Sequence, residues 1–335
     1  MSLGPPISSH DRTQRFGRSS HRRFGRDGLK WLCLLFSGLA GCAGAQEAGQ
    51  TVEASPARPL DPAKIEFTRL VRDFHDRSQT LEVAIVRYRP KKASSPIDFV
   101  DLIGAIHVAD APYYEELNRR FRNYDAVLYE LVAPEGTRIP KGSSTTSSVS
   151  ALQRVMKRML GLHFQLEEID YTRRNLIHAD LSPEEFAESM RERGETWLGL
   201  FLRIMTQSMA RDSQKVFDTS EKELFAALFA KDRELRLKRL MAEQFADLES
   251  VLAMYEGANG STLLSERNRR AVKVLGEQIE RGQRRLAIFY GAAHMRDMAA
   301  RISEDYGLVP VRVEWLPAWD LRSREERSPT TSRGE

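Results

Sequence analysis

Two apolar runs in this 335-residue chain each end in Gly-Ala-x-His, and each then gives way to a helical pattern. The tetrads are Gly104-Ala105-Ile106-His107 and Gly291-Ala292-Ala293-His294. With 7 His and 21 Gly in 335 residues, composition alone predicts roughly 0.4 such Gly-x-x-His tetrads. One would carry nothing; two, each at the same point of a repeated unit, constrain the fold. Glycine lets the chain turn sharply at a strand end and lets a ligand approach the backbone. The imidazole three residues on then faces the crevice at the carboxyl ends of the strands, where open sheets bind ligands. A histidine so placed can also simply cap or pack beside its helix, and spacing alone leaves both readings open.

The surroundings of the tetrads match. Leu81 to Arg89 alternates as a strand, Pro90 to Pro96 breaks it, and Ile97 to Ile106 forms a second strand, so a hairpin is expected. Asp110 offers an N-cap with Pro112 in the first turn, and Tyr113, Leu117 and Phe121 share a helix face. Asp125 to Val132 is the next strand. In the second half, Ser265 is expected to cap a helix running to about Gly282. A strand follows over Arg284–Tyr290, then a helix over Arg296–Asp305 and a strand over Leu308–Trp315. Each half thus reads strand, Gly-Ala-x-His, helix, strand, with a Glu in the last strand. These are two duplicated β-α-β units, whose crossover helices imply parallel strands. The fold expected is α/β (α+β), a mixed central sheet from two half-units with a large helical insertion.

The domain boundaries follow. Residues 65–150 form the N-terminal half, ending in a Gly/Ser/Thr loop from Pro134 to Ser150, and 265–320 the C-terminal half. Residues 151–264 are the helical insertion, with apolar stripes at Leu152/Val155/Met156/Met159, at Trp197/Phe201/Ile204/Met205, and over Leu237–Leu252. Ser182-Pro183-Glu184-Glu185 is a capping box within it. Residues 321–335 read as a disordered polar tail.

The front end reads as an export signal. Residues 1–41 hold seven Lys/Arg and two Asp, a net +5, leaving 44 basic against 45 acidic residues in the remainder. Trp31 to Gly41 is apolar but too short to span a bilayer. Leu39-Ala40-Gly41-Cys42 resembles the bacterial lipobox, in which the cysteine is acylated; ordinary cleavage after Ala43-Gly44-Ala45 is the competing reading. Residues 42–64, rich in Ala, Gly, Pro and Gln, form a flexible tether. The expected location is outside the cytoplasm, facing the periplasm or cell exterior, with a membrane contact through Cys42. Cys33 and Cys42 are the chain's two cysteines, so the part after Cys42 has no disulfide and no thiolate chemistry. No basic, aromatic-interleaved face argues for nucleic acid.

Glu130 stands alone in the apolar run Ala126–Val132, where a carboxylate is costly unless it is paired or bound to a cation. Arg267 is a charge partner that could steady Glu130 or a developing oxyanion. Two imidazoles and a carboxylate, His107, His294 and Glu130, could hold a divalent ion. Glu314 occupies the repeat-equivalent place and ranks second, with Asp180 and Tyr290. His75, His163 and His178 sit in surface-like, helix-end and pre-cap contexts that argue against ligand roles.

These residues resemble the TraB/GumN family, related to the Tiki metalloproteases and more distantly to ChaN-type haem-binding lipoproteins. The resemblance covers about 81–135 and 263–316, on Gly104/His107, Glu130, Arg267 and Gly291/His294, and Ala105 replaces a threonine often found in the first tetrad. It implies a site for zinc, manganese or cobalt and, as in Tiki proteins, hydrolysis of a peptide or protein substrate. It also allows a non-catalytic protein that binds peptide, haem or iron, with Tyr113, Tyr114 or Tyr290 as oxygen ligand.

Overall fold

The computed structural model describes residues 59–142, 160–196, 226–227, 229–243 and 260–327. The export signal with Cys42, most of the tether, the two earlier apolar stripes of the insertion and the end of the Leu237–Leu252 stripe lie outside the described residues. All the described residues belong to one unit.

The strands are β1 (Thr68–Arg72), β2 (Ser78–Pro90), β3 (Phe99–Ala105), β4 (Val108–Ala109), β5 (Ala126–Tyr129), β6 (His163–Phe164), β7 (Leu176–His178), β8 (Arg285–Gly291) and β9 (Leu308–Asp320). The helices of the described residues include α1 (Ala111–Phe121), α2 (Pro183–Glu192), α3 (Arg267–Glu280) and α4 (Met295–Tyr306). Seven strands form a mixed sheet in the order β1-β2-β3-β8-β5-β7, with β9 on β2; β4 and β6 form a separate two-stranded ladder.

The expected hairpin is present: β2 and β3 pair antiparallel, Ile85 opposite Ile103. At 13 residues β2 is long enough for three partners, with β1 on its first half, β3 on its second and β9 along its length. From β3 onward the sheet is parallel: β3 on β8, β8 on β5 and β5 on β7. β8, and β3 apart from Asp101, read as apolar runs because parallel strands are covered on both faces. Val100 to Ala105 and Leu286 to Tyr290 are accordingly buried throughout.

The two faces are covered by different helices. Leu286, Ile288 and Tyr290 join Val100 and Leu102 in a core with Ala271, Val272 and Leu275 of α3 and Met295, Met298 and Ile302 of α4. Phe289, on the opposite face, packs its ring 5.1 Å from Phe121 of α1. Fully burying one such side chain contributes about 1.5–3 kcal/mol. Asp101, 1 % exposed in β3, is matched by a fork from Arg87 (2.9 and 2.8 Å) and the Tyr124 hydroxyl (2.7 Å).

Several boundaries differ from expectation. β9 runs on through Pro317 to Asp320. Both its prolines face register shifts of β2, Pro310 opposite Tyr88 and Pro317 opposite Glu82, so neither removes a required ladder bond. Helix α3 is entered through a π-helical turn, Thr262–Glu266, capped by Ser261 rather than Ser265; the Ser265 hydroxyl accepts from the Ser261 N–H instead. The end of the tether is docked, with Leu60 N–H donating to Pro310 O at 2.8 Å. The polar tail begins later than expected: Leu321 is fully buried, donates to Gln79 O and receives Arg239.

Candidate active site

Four adjacent parallel strands, β3, β8, β5 and β7, end side by side, and each delivers a polar group just past its carboxyl end. His107 follows β3 by two residues. Gly291 closes β8, and His294 follows in the 3-10 turn Ala292–His294 that leads into α4. Glu130 follows β5 directly, its N–H donating to Phe289 O of β8. Asp180 lies two residues beyond β7. Arg267 and Asn268 open α3 above this edge. Register makes the convergence: Ala105 pairs with Gly291, and Tyr129 pairs with both Phe289 and His178.

Gly291 marks the meeting point. A methyl placed on it would stand 3.3 Å from Glu130 Oε2, 3.6 Å from His294 Cδ2 and 3.7 Å from His107 Nε2. The absent side chain is therefore the space onto which the three groups face.

Glu130 is 8 % exposed and fully engaged. Its Oε1 accepts from Arg267 Nη2 at 2.7 Å and lies 3.6 Å from His294 Nε2; its Oε2 accepts from the Gly291 N–H at 2.7 Å. Burial pushes its pKa up, but the Arg267 guanidinium, the two imidazoles and the Gly291 N–H outweigh burial and hold it well below the usual carboxylate range. Arg267, 5 % exposed, also donates from Nε and Nη2 to the two oxygens of Asp180, at 3.0 and 2.7 Å, and from Nη1 to Leu263 O. Burial works against its charge, and Glu130 and Asp180 overcome it, raising its pKa further. Each of its three nitrogens has a partner within the protein, and Arg267 steadies Glu130 and Asp180. Asp180, ranked second in sequence, proves to be its main anchor.

His294 is 5 % exposed, and its pKa is lowered to about 4, first by burial and then by the nearby Arg267 and His107, against the pull of Glu130 and Asp180. It is neutral at pH 7. Its Nδ1 meets Asn268 Oδ1 at 2.6 Å, while the half-buried His107 meets Gln165 Oε1 through Nδ1 at 3.3 Å. Neither amide was foreseen. Asn268 adjoins Arg267 at a helix start, which is a readable signal; Gln165 lies 58 residues from His107 and gives none.

Glu130 and Asp180 set two carboxylates against the single guanidinium of Arg267. Its donor chemistry, two imidazole nitrogens and an ionised carboxylate, suits zinc, manganese or cobalt. Among the described residues no group of three or more His, Cys, Asp or Glu side chains is arranged to hold a metal ion. Glu130 Oε2 and His107 Nε2 are the donor atoms nearest one point, and His294 turns its Cδ2 toward it, with its Nε2 3.6 Å from Glu130 Oε1.

Other sequence candidates fall elsewhere. Glu314 sits within β9 opposite Ile85 and pairs with Arg120 and Arg312. β9 crosses to the far side of β2 instead of lying beside β8, so the repeat-equivalent glutamate is carried away from the crevice. Tyr290 walls the site, its ring 5.3 Å edge-on from His294 and its hydroxyl donating to Ala179 O. Tyr113 and Tyr114 donate to the carbonyls of Gly104 and Ile106, so all three tyrosines brace backbone. His75 is exposed, His163 pairs with Glu168 at 3.1 Å, and His178 bonds Leu131 O at 2.6 Å. An open groove of about 480 Å³ is lined by Leu181 and Glu266, chain neighbours of Asp180 and Arg267, together with Glu185, Glu188 and Arg193.

No family model, curated protein or solved structure matches the chain.

Proposed function

We propose that the chain is a divalent-metal-dependent hydrolase of the TraB/GumN type, acting on peptide bonds outside the cytoplasm and tethered to a membrane through Cys42. The observation that carries this reading is the meeting of His107 Nε2, His294 and Glu130 Oε2 around Gly291. His107, His294 and Glu130 would hold zinc, manganese or cobalt. When bound, such an ion supplies Lewis acidity and lowers the pKa of water from 15.7 toward ~7.

The protein's own groups divide the remaining work. Glu130 stays ionised at any physiological pH, which suits a cation ligand. A carboxylate held that acidic is a weak proton acceptor near neutrality, so the ligand role is favoured over the general-base role. Arg267 and Asp180 fix the Glu130 carboxylate in place. Tyr290 and the buried ends of β8 and β5 keep water from one side of His294. The groove beside Leu181 and Glu266 offers room for the flanking residues of a peptide.

The test is the metal content of the purified chain, beside His107→Ala and His294→Ala, with hydrolysis of a quenched fluorescent peptide library under zinc, manganese and cobalt. The expected result is bound metal and cleavage in the parent chain, with both strongly reduced in the variants. Metal retained at parent levels by both variants would overturn the assignment.

A further inference from the structure

Each crevice imidazole is backed by a carboxamide from a different part of the chain. We infer that Gln165 and Asn268 are positioning residues that lock His107 and His294 in the Nδ1–H tautomer, holding both Nε2 lone pairs on the crevice before any ligand arrives. The inference deepens the metal-site reading above and rests on it for its consequence, while the tautomers themselves stand independently of it.

A neutral imidazole carries one N–H and one lone pair, and the partner of one nitrogen decides the role of the other. Asn268 leaves no choice of amide orientation. Its Nδ2 donates to Asp297 Oδ2 at 2.8 Å and to His294 O at 3.4 Å, and both of those groups only accept. Asp297 is itself held by Arg301 Nε at 2.6 Å. Asn268 Oδ1 therefore faces His294 Nδ1, 2.6 Å away, and Asn268 is fully buried. An Nε2–H tautomer would set two lone pairs against each other at that distance with no water to relieve them. The hydrogen belongs on Nδ1.

Gln165 repeats this arrangement from another element. It is 2 % exposed, its Nε2 donates to the Tyr171 hydroxyl at 2.8 Å, and its Oε1 faces His107 Nδ1. The backbone fixes the approach. Val108 pairs with Phe164 and Ala109 with His163, and the Gln165 N–H donates to His107 O. The segment 160–171, read in sequence as part of an insertion, thus completes the environment of the first histidine.

The consequence lies at Nε2. His294 Nε2 is 3.6 Å from Glu130 Oε1, and a lone pair facing an ionised oxygen across that gap makes a pocket of negative potential. His107 Nε2 lies 3.7 Å from the point where a methyl on Gly291 would stand, and Glu130 Oε2 lies 3.3 Å from that point. A divalent cation gains from both nitrogens without an imidazole having to change tautomer. Losing such a supporting partner typically weakens metal affinity 10–100-fold.

The experiment uses the whole chain, labelled with nitrogen-15 at histidine and stripped of metal by chelator. Long-range proton–nitrogen correlation spectra near pH 7.5 read the tautomer of each ring, with His107→Ala and His294→Ala supplying assignments. Nδ1 protonated and Nε2 bare in both rings is the expected spectrum. Gln165→Met and Asn268→Leu should each release the preference in their own histidine and weaken zinc binding 10–100-fold by chelator competition. Gln165→Glu keeps an oxygen acceptor and should restore both readouts; Asp at 268 is unsuitable because it would face Asp297. Should either Leu or Met variant fail to fold, the parent spectrum and Gln165→Glu still decide the question. An Nε2–H tautomer in either histidine of the parent chain overturns the inference. Two Nδ1–H rings without zinc uptake uphold the positioning role and remove the metal reading instead.

Discussion

Arg267 grips Asp180 at two points, Nε to Oδ1 at 3.0 Å and Nη2 to Oδ2 at 2.7 Å, and the same Nη2 reaches Glu130 Oε1 at 2.7 Å. One buried cation thus serves two buried anions. Arg267→Met strips both carboxylates of their partner in a place where water does not replace it. Breaking a buried pair from one side costs about 3–5 kcal/mol. Urea denaturation at pH 7 should show a loss of that size, and Arg267→Lys, lacking the planar fork, should recover only part of it. The sign with pH follows from Glu130. In the parent chain its depressed pKa gives stability that is present above the ordinary carboxylate value and lost as pH falls through the folded one. Without Arg267 burial dominates and the pKa rises, so the gap between parent and variant should narrow in acid.

Gly291 and Gly307 separate occupancy of space from backbone strain. Gly291 has φ −50° and ψ 141°, which any residue adopts, so Gly291→Ala acts by filling the point where His107, Glu130 and His294 meet. Its stability should change by less than about 1 kcal/mol, as for a mild local clash, while zinc uptake falls at least tenfold. Gly307 ends α4 at φ 63°, with nothing within 4 Å of an added methyl. Gly307→Ala should lose about 1 kcal/mol through left-handed strain alone and bind zinc as the parent does. Thermal melts and zinc titrations on both variants check the contrast.

What the sequence disclosed was local. The apolar runs ending in Gly-Ala-x-His, the lone carboxylate at Glu130 and the Ser182 capping box depend on neighbours a few residues away, and each lies where its pattern placed it. What it withheld was set by partners distant in the chain. Glu314 looks equivalent to Glu130 until β9 pairs with β2. The last strand is expected over Leu308–Trp315 from sequence, and the register shift opposite Pro317 allows β9 to continue to Asp320. The choice of Ser261 over Ser265 as a cap turns on a five-residue wide turn that periodicity does not reveal. Arg267 as a charge partner was legible, but its complete engagement was not, because Asp180 arrives from a strand 87 residues earlier.

The helical stretch 233–243 is tied to the sheet beside the first motif by Lys238. Its Nζ lies 2.5 and 2.6 Å from the two Asp110 oxygens, Lys238 is 7 % exposed, and Asp110 also accepts from the Asp320 N–H. Asp110 precedes α1 without capping it through its side chain, because the carboxylate is engaged here. Lys238→Met keeps the packing and removes the cation. The expected cost is about 3 kcal/mol, the lower end for a broken buried pair, since Asp110 retains one N–H. Limited proteolysis should then cut within 229–243 well before the sheet is attacked. Equal cleavage rates in parent and variant would mean that packing alone holds the stretch.

Asp125 staples the far end of the strands that build the crevice. Its carboxylate accepts from the N–H groups of Arg284 and Arg285 at 3.0 and 2.8 Å and from the Arg285 side chain at 3.1 and 2.6 Å, joining the start of β8 to the turn before β5. Partial burial works to raise its pKa, and the hydrogen bonds and charge of Arg285, with the Arg284 N–H, more than reverse this, so it is held below 3.8. Because the unfolded chain takes up this proton more readily, the contribution is whole above about pH 4–5 and fades as pH falls through the folded value. Asp125→Asn removes the charge but keeps one oxygen acceptor. Urea midpoints for parent and variant should therefore lie furthest apart near neutral pH and draw together as pH falls through the folded value. A separation that stays constant across that range would place the contribution of Asp125 in the shape of its hydrogen bonds, with none in its charge.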